Sequence, residues 1–161
     1  MCEIREVKAA NLFPFVSEIL ENGQSSRIAV TGNSMYPFLR HMIDSVELKK
    51  ASYEQLVRGD IILIQRTDGI YVLHRVYKKK KDCFFMVGDA QQWIEGPLYP
   101  EQLVAVVTAI WRRDKRIACD NPLWRLLSGL WLNLRPFRYR ILYLYRRIIL
   151  RVYRKIRRVL T

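Results

Sequence analysis

The pattern of apolar and polar positions changes twice along the chain, and each change marks a different kind of element. In residues 4–22 the apolar side chains, among them Leu12, Phe15 and Ile19, recur at helical intervals. The stretch ends at Gly23, and glycine is common just after the last turn of a helix. The sequence therefore predicts a short N-terminal helix over residues 4–22.

Beyond Gly23 the pattern is typical of strands. Short runs rich in Val, Ile, Leu, Tyr and Phe alternate with Gly, Asp and charged residues. The runs are Arg27–Val30, Ser45–Leu48, Ile61–Gln65, Tyr71–Tyr77, Phe84–Val87 and Val104–Trp111. Closely spaced strands with few helices between them predict a mainly β fold built on a curled, barrel-like antiparallel sheet. The charged run Lys78–Lys81 is predicted to be a solvated hairpin tip.

A helical pattern returns after Pro122, and Pro136 suits the first turn of a further helix. On a helical wheel the apolar residues that follow share one arc, and most arginines share the opposite arc. The apolar arc contains Phe137, Ile141, Tyr145, Ile148, Ile149, Val152, Tyr153, Ile156, Val159 and Leu160. The basic arc contains Arg140, Arg146, Arg147, Arg151, Arg154, Arg157 and Arg158. Arg138 and Leu150 are exceptions, because each lies on the arc of the other type.

Charge divides the chain into two parts. Of the 161 residues, residues 1–111 contain 13 basic and 13 acidic side chains, whereas residues 112–161 contain 15 basic and 2 acidic ones. The whole net charge of +13 therefore belongs to the last third. We predict a globular domain over residues 1–111 and a basic amphipathic helical tail over residues 112–161, with an anionic partner for the tail.

The apolar arc of the tail favours a membrane surface over nucleic acid as that partner. Bases would stack on the aromatic rings but would leave the aliphatic side chains unused. Trp111, Trp124 and Trp131 would suit the lipid headgroup layer. Nucleic acid is one alternative, and packing of the apolar arc on the globular domain or on a partner helix is another.

The remaining composition bears on compartment and cofactors. The three cysteines are far apart and lack CxxC spacing, and His41 and His74 are the only histidines. This predicts a reducing compartment, no disulfide framework, no metal centre and no cofactor. The N-terminus lacks the pattern of a signal peptide, and no apolar run reaches the roughly 18 residues of a spanning helix. We expect the protein at the cytoplasmic face of a membrane.

Candidate chemistry centres on Ser34 and His74. Ser34 lies in VTGNSMYP at residues 30–37, where a strand ends in a glycine-containing turn that can present a hydroxyl. A serine hydroxyl is a weak nucleophile and needs a base within hydrogen-bond reach. His74 is the available base, and strand alternation puts it on one face with Val72 and Val76. Taken alone, a histidine in a strand is more often structural.

Four segments in chain order strengthen the catalytic interpretation: VTGNSMYP, VRGDIILI, VLHRV and FMVGDAQQWIE. Together they resemble the sequence motifs of the signal peptidase I clan of serine peptidases, which includes the self-cleaving phage-type repressors. The resemblance spans residues 28–107 and implies a mostly β peptidase domain in which Ser34 attacks a peptide carbonyl. His74 stands where bacterial signal peptidases have lysine, as in the endoplasmic-reticulum and archaeal signal peptidases.

The resemblance also implies an acidic residue that orients His74. In the histidine-type relatives this acid follows the Gly-Asp pair by some residues, which corresponds to Glu95 here. Asp89, within the pair itself, is the alternative, although an aspartate in such a turn often bonds nearby backbone amides instead. We favour Glu95 over Asp89 and leave both open.

The oxyanion site departs from the family pattern. Gly32 stands where signal peptidases often have a serine that donates a hydrogen bond to the oxyanion. The backbone amides of Ser34 and Asn33 are therefore the predicted donors. Met35 and Pro37, which belong to the same motif, are expected beside the bound substrate.

The resulting prediction is a serine endopeptidase that cuts a leader or signal-like segment from a peptide or preprotein at a membrane surface. A repressor-like self-cleaving protein is one alternative. A non-catalytic membrane- or nucleic-acid-binding adaptor on a degenerate peptidase fold is another, because Gly32 and the unusual loop over residues 40–44 depart from the family pattern.

Overall fold

The fold is taken from a computed structural model that describes residues 9–145, 147 and 148. The start of the predicted N-terminal helix lies outside these residues. So do the predicted arc positions Arg146, Ile149 and all those that follow Ile149. Phe137, Ile141, Tyr145, Ile148, Arg138, Arg140 and Arg147 are the described members of that part of the tail.

Antiparallel strands dominate the described chain, which confirms the mainly β class. Helix α1 spans Ala9–Glu21 and ends before Gly23, as predicted. The strands are β1 Ser26–Ala29, β2 Asp44–Lys49, β3 Ile61–Gln65, β4 Tyr71–Lys79, β5 Phe84–Val87, β6 Glu95–Leu98, β7 Leu103–Arg112 and β8 Lys115–Ala118. Helix α2 spans Pro122–Asn133, and residues 138–145 are also helical.

The eight strands form one open antiparallel sheet. Seven of them follow the order β1-β2-β7-β3-β4-β5-β6, and β8 pairs with β7 outside this order. The long strand β7 organises it: β2 pairs along one edge, β3 pairs with the first half of the other edge, and β8 pairs with the second half. Strand β4 lies between β3 and β5, but β5 pairs with it only from Arg75 onward. The stretch 71–74 of β4 therefore has no described strand on its β5 side.

Apolar side chains pack on both faces of the sheet. One core contains Phe13 and Leu20 from α1 together with Leu63 from β3. The other core contains Ile62 from β3 with Val76 and other residues of β4 and β5. The unbroken apolar sequence of β3 follows from this position, because a central strand covered on both faces does not alternate.

All six predicted strands are present, each within two residues of its predicted ends. Strands β6 and β8 were not predicted. Strand β6 contains Gly96 and Pro97, residue types that are depleted in strands, and β8 is short and carries two basic residues. Strand β4 extends through Lys79, so the hairpin tip is at residues 80–83 and not at Lys78–Lys81.

The sheet also continues beyond residue 111, where the predicted tail begins. Strand β7 ends at Arg112, and β8 turns back to pair with it before α2 starts at Pro122. The helical part of the tail therefore begins about ten residues later than the charge step indicates.

Helix α2 has one face against the rest of the domain and one face open to solvent. Trp131 and Leu132 are buried, and Trp124 stacks edge-on against Phe38. The prediction that the tail tryptophans face lipid headgroups is therefore wrong for Trp131, which is only 9% exposed because it packs on the domain. Trp111 lies in β7, where its indole N–H donates to Glu47.

The outer face of α2 is nevertheless apolar. The exposed apolar side chains of the helix are Leu123, Leu126, Leu127 and Leu130, with Leu134 and Phe137 just beyond its end. Over the described ranges, no helix combines the length and hydropathy needed to cross a bilayer.

Candidate active site

Ser34 lies in the loop that follows β1, and the loop is anchored at both ends. Val30 is buried and bonds through its backbone to Asp44 and Met42. Gly32 has a φ of 82°, a left-handed conformation that favours glycine, and its N–H donates to Nδ1 of His41 at 3.0 Å. The half-buried Ser34 follows this turn, so the local backbone geometry fixes the position of the Ser34 main chain, from which its hydroxyl projects.

The turn after β5 packs directly against the Ser34 backbone. The Ala90 N–H donates to the Ser34 carbonyl oxygen at 2.8 Å, and a Cβ atom added to Gly88 would lie 2.8 Å from the same oxygen. Gly88 therefore allows a close approach that a larger residue would prevent. Because Val87 pairs with Arg75, this contact brings the Ser34 loop to the end of β4 that carries His74.

His74 is buried on the predicted face of β4. It pairs with Ile62 of β3, and Val76, two residues further on, belongs to the same core as Ile62. Its side chain is 3% exposed. Burial lowers the pKa of His74 to about 4, although the Glu95 carboxylate acts to raise it. The imidazole is therefore neutral at neutral pH, which is the protonation state of a general base.

Glu95 reaches the same face from β6. Sheet register explains this, because Glu95 pairs with Met86, which in turn pairs with Val76, and paired residues share a face. Oε2 of Glu95 lies 3.8 Å from Nδ1 of His74. The guanidinium of Arg66 binds both carboxylate oxygens of Glu95 and holds the side chain in place.

Asp89, the alternative orienting acid, binds a different partner. Both of its carboxylate oxygens accept hydrogen bonds from Arg75 at 2.7 and 2.9 Å, and both side chains are fully buried. Arg75 follows His74 in β4, so its side chain points to the opposite face. Asp89 therefore serves a buried ion pair, and Glu95 is the carboxylate that faces the imidazole.

The Ser34 loop and His74 belong to the same end of β4, but the proposed nucleophile and base are not joined by a hydrogen bond. Within the described part of the chain, no hydrogen bond links the Ser34 hydroxyl to His74, and Nδ1 of His74 has no hydrogen-bond partner. Catalytic hydrogen bonds are often long before substrate binds and shorten in the complex. The amides of Asn33 and Ser34 likewise have no acceptor among the described residues and are open to a ligand.

A cavity of about 120 Å³ lies between the Ser34 loop and the start of β4. Met35 lines it and is 2% exposed, and Tyr71 and Leu73 form the opposite wall. Pro37 is half-buried and does not line this cavity. The cavity adjoins the stretch 71–74 of β4 that has no described strand on its β5 side, and we call the two together the groove beside Ser34.

Sequence reasoning missed several residues that hold the site. His41, which accepts the Gly32 N–H, was identified only as part of an unusual loop. No sequence pattern indicated a role for Arg66, because its contact with Glu95 depends on the unpredicted strand β6. For Arg138 the sequence did give an indication, since this arginine lies among apolar residues on the helical wheel. It is 1% exposed and bonds the turn that contains Asp89.

Metal binding has no support in the part of the chain that is described. No group of three or more His, Cys, Asp and Glu side chains there is arranged to hold a metal ion. Comparison with known proteins adds no assignment: no family model matches the chain, and no curated protein matches it.

Proposed function

We propose that the protein is a serine endopeptidase of the signal peptidase type, with Ser34 as nucleophile and His74 as general base and acid. The observation that carries the proposal is the buried, neutral imidazole of His74, which faces Glu95 on one side of β4, while the Ser34 loop packs against the turn after β5 and borders a cavity at the same end of β4. The four sequence motifs point to the same residues.

In this mechanism Nδ1 of His74 carries a proton toward Glu95, which leaves Nε2 free as a base. Nε2 takes the proton of the Ser34 hydroxyl as Oγ attacks the substrate carbonyl carbon. The amides of Ser34 and Asn33 donate to the oxyanion. His74 then gives the proton to the leaving amine as the peptide C–N bond breaks, which leaves the acyl group on Ser34 Oγ. Next, His74 takes a proton from water as the water oxygen attacks the acyl carbon, and returns a proton to Ser34 Oγ as the ester bond breaks and the carboxylic acid product is released.

The groove beside Ser34 supports an extended peptide as substrate. A peptide that pairs with the open edge of β4 at residues 71–74 gains main-chain hydrogen bonds without regard to its sequence. The adjoining cavity, lined by Val30, Met35 and Leu73, has room for a small or medium apolar side chain. These features fit a leader or signal-like segment.

We further propose that the enzyme works on an anionic membrane surface. The exposed leucines of α2 form one face, and the exposed or half-buried arginines Arg125, Arg135, Arg140 and Arg147 lie in the same part of the chain. Residues 122–148 contain no acidic side chain. An apolar helix face with surrounding arginines is the composition of helices that lie in the lipid interface.

A fluorophosphonate probe tests the peptidase proposal. We expect covalent labelling at Ser34 in the purified full-length protein, none in Ser34→Ala, and a large reduction in His74→Gln. Absence of labelling in the folded wild-type protein would instead support the non-catalytic adaptor, which Gly32 and the missing Ser34–His74 hydrogen bond favour. Truncation of the expressed chain that disappears in Ser34→Ala would identify self-cleavage.

Liposome flotation tests the membrane proposal. We expect the protein to float with vesicles that contain phosphatidylglycerol and much less with phosphatidylcholine alone. Leu126→Glu/Leu130→Glu should abolish flotation. The control variant Ile70→Glu/Tyr99→Glu adds the same charge at exposed sites away from α2, and it should float as well as the wild type. Equal recovery of all three proteins with both vesicle types would rule out this surface.

A further inference from the structure

We propose that Arg138 and Trp131 are positioning residues for Ser34 and act through the turn Gly88–Gln91. This inference rests on the proposed peptidase function, in which Ser34 supplies both the nucleophile and an oxyanion donor. It makes the first part of the helical tail a component of the active site, in addition to any role at a membrane.

The turn is the link between the nucleophile and the tail. On one side, the Ala90 N–H holds the Ser34 carbonyl at 2.8 Å, and Gly88 packs against the same oxygen. Within the turn, the Gln91 N–H donates to the Gly88 carbonyl at 3.0 Å. Any displacement of the turn would therefore move the main chain of Ser34.

On its other side, the turn presents three carbonyl oxygens to the tail. The indole N–H of Trp131 donates to the carbonyl of Asp89 at 3.0 Å. Nη1 of Arg138 donates to the carbonyls of Gly88 and Gln91 at 3.0 and 3.3 Å. Two donor atoms from the tail, Nε1 of Trp131 and Nη1 of Arg138, thus make three hydrogen bonds to three of the four residues of the turn.

Arg138 also joins the turn to α2. Its Nε and Nη2 atoms donate to the Trp131 carbonyl at 3.2 and 3.1 Å, near the C-terminal end of that helix. A guanidinium can span these acceptors because its five N–H groups point in fixed directions, whereas the ammonium of lysine is a single point of charge. Burying a charge is costly, so a buried arginine with four described bonds to carbonyls marks a specific structural requirement.

The expected consequence is for catalysis. A nucleophile that is displaced by about 1 Å loses roughly a hundredfold in rate, because the attacking atom and the oxyanion donors no longer align. The peptide groove is formed by other residues, namely the start of β4 and the wall lined by Met35. Loss of Arg138 should therefore lower kcat and leave KM nearly unchanged.

The experiment compares Arg138→Met, Arg138→Lys and Trp131→Phe with the wild type, in the full-length protein without lipid and well below each melting temperature. We expect the rate of fluorophosphonate labelling at Ser34, and kcat for a soluble leader-like peptide, to fall by about tenfold to a hundredfold in both Arg138 variants. Trp131→Phe should show a smaller decrease. Lys81→Met, which removes an exposed charge at the hairpin tip, should match the wild type.

Amide hydrogen exchange provides a readout that does not depend on catalysis. Arg138→Met should speed exchange at the Ala90 amide, which bonds Ser34, and leave the Val76 amide in β4 unchanged. Wild-type rates of labelling and of Ala90 exchange in the Arg138 variants would overturn this inference and leave the peptidase proposal intact. Absence of labelling in the wild type would overturn the peptidase proposal and with it the positioning role of Arg138 and Trp131.

Discussion

Nδ1 of His74 lies 3.8 Å from Oε2 of Glu95, although the two residues are on strands β4 and β6, with β5 between them. The pair is close because the register of three strands places both side chains on one face. Arg66 then fixes the carboxylate from the other side. A carboxylate in this position favours the tautomer with the proton on Nδ1 and leaves Nε2 as the base.

The first prediction follows from this pair. In the proposed mechanism, Glu95→Gln removes the charge that orients His74 and stabilises its protonated form during the reaction. We expect kcat to fall by roughly tenfold to a thousandfold, since loss of the orienting carboxylate is costly in serine hydrolases of the triad type. Steady-state cleavage of a soluble peptide measures the effect. Glu101→Gln alters an exposed carboxylate and serves as the control. Equal rates for the two variants would show that Glu95 does not orient His74.

The second prediction concerns stability at acid pH. The pKa of His74 is lowered from 6.5 to about 4 in the folded protein, so the unfolded chain binds more protons between these values. The contribution of the neutral His74 ring to the free energy of unfolding is therefore complete above pH 6.5. It is lost as the pH falls toward 4, because protons then bind to the unfolded chain in preference to the folded one. The expected slope is about 1.4 kcal/mol for each pH unit within this window.

Urea denaturation of wild type and His74→Gln across that range measures this slope. The carboxylates titrate in both proteins, so the difference between the two curves isolates His74. We expect the free energy of unfolding of the wild type to decrease more steeply than that of His74→Gln as the pH is lowered. Parallel curves would mean that His74 is not buried in its neutral form.

Sequence reasoning could single out Ser34 and His74 as candidates because each lies in a short motif. A serine after a glycine turn and a histidine on an alternating strand are visible without knowledge of the fold, but only the four motifs in chain order, through their family resemblance, favoured catalysis over a structural role. The location of Glu95, and with it the contact of Glu95 with Arg66, depends on β6. Gly96 and Pro97 in β6 are residue types that are depleted in strands, so the sequence does not indicate a strand there. Their contact is set by register across the sheet, and no short sequence pattern encodes register.

The third prediction separates Asp89 from Glu95. Arg75 is fully buried, and its guanidinium is bonded to Asp89 and to the Gly59 carbonyl. Asp89→Asn leaves a buried charge without its counter-ion, which typically costs about 3–5 kcal/mol. We therefore expect a large drop in the free energy of unfolding from thermal or urea denaturation. Glu21→Gln breaks an exposed ion pair with Lys50 and should have little effect. A folded Asp89→Asn protein of wild-type stability that had lost activity would instead make Asp89 the orienting acid.

The tail illustrates a second limit of sequence reasoning. Its amphipathic pattern and its charge could be predicted, but the pattern alone does not say which apolar residues face the domain. Trp131, which was expected at the lipid headgroups, is buried against Phe38 and the turn that contains Asp89, whereas the leucines of α2 are exposed. Arg138 lies among apolar residues on the helical wheel, and this was the one signal in the sequence that the side of the tail that carries Arg138 is buried.

The fourth prediction compares two glycines. A Cβ atom at Gly88 would lie 2.6 Å from Oε1 of Gln91 and 2.8 Å from the Ser34 carbonyl oxygen, whereas a Cβ atom at Gly129 in α2 would meet nothing within 4 Å. Backbone atoms cannot move away cheaply, so Gly88→Ala should displace the Ser34 loop, lower the free energy of unfolding and slow labelling of Ser34. Gly129→Ala should raise the free energy of unfolding by up to about 1 kcal/mol, because alanine favours a helix. Thermal denaturation and fluorophosphonate labelling of both variants measure these effects. A Gly88→Ala protein that labels at the wild-type rate would show that the turn after β5 can separate from Ser34 without cost, and contact with that turn would then have no part in placing the nucleophile.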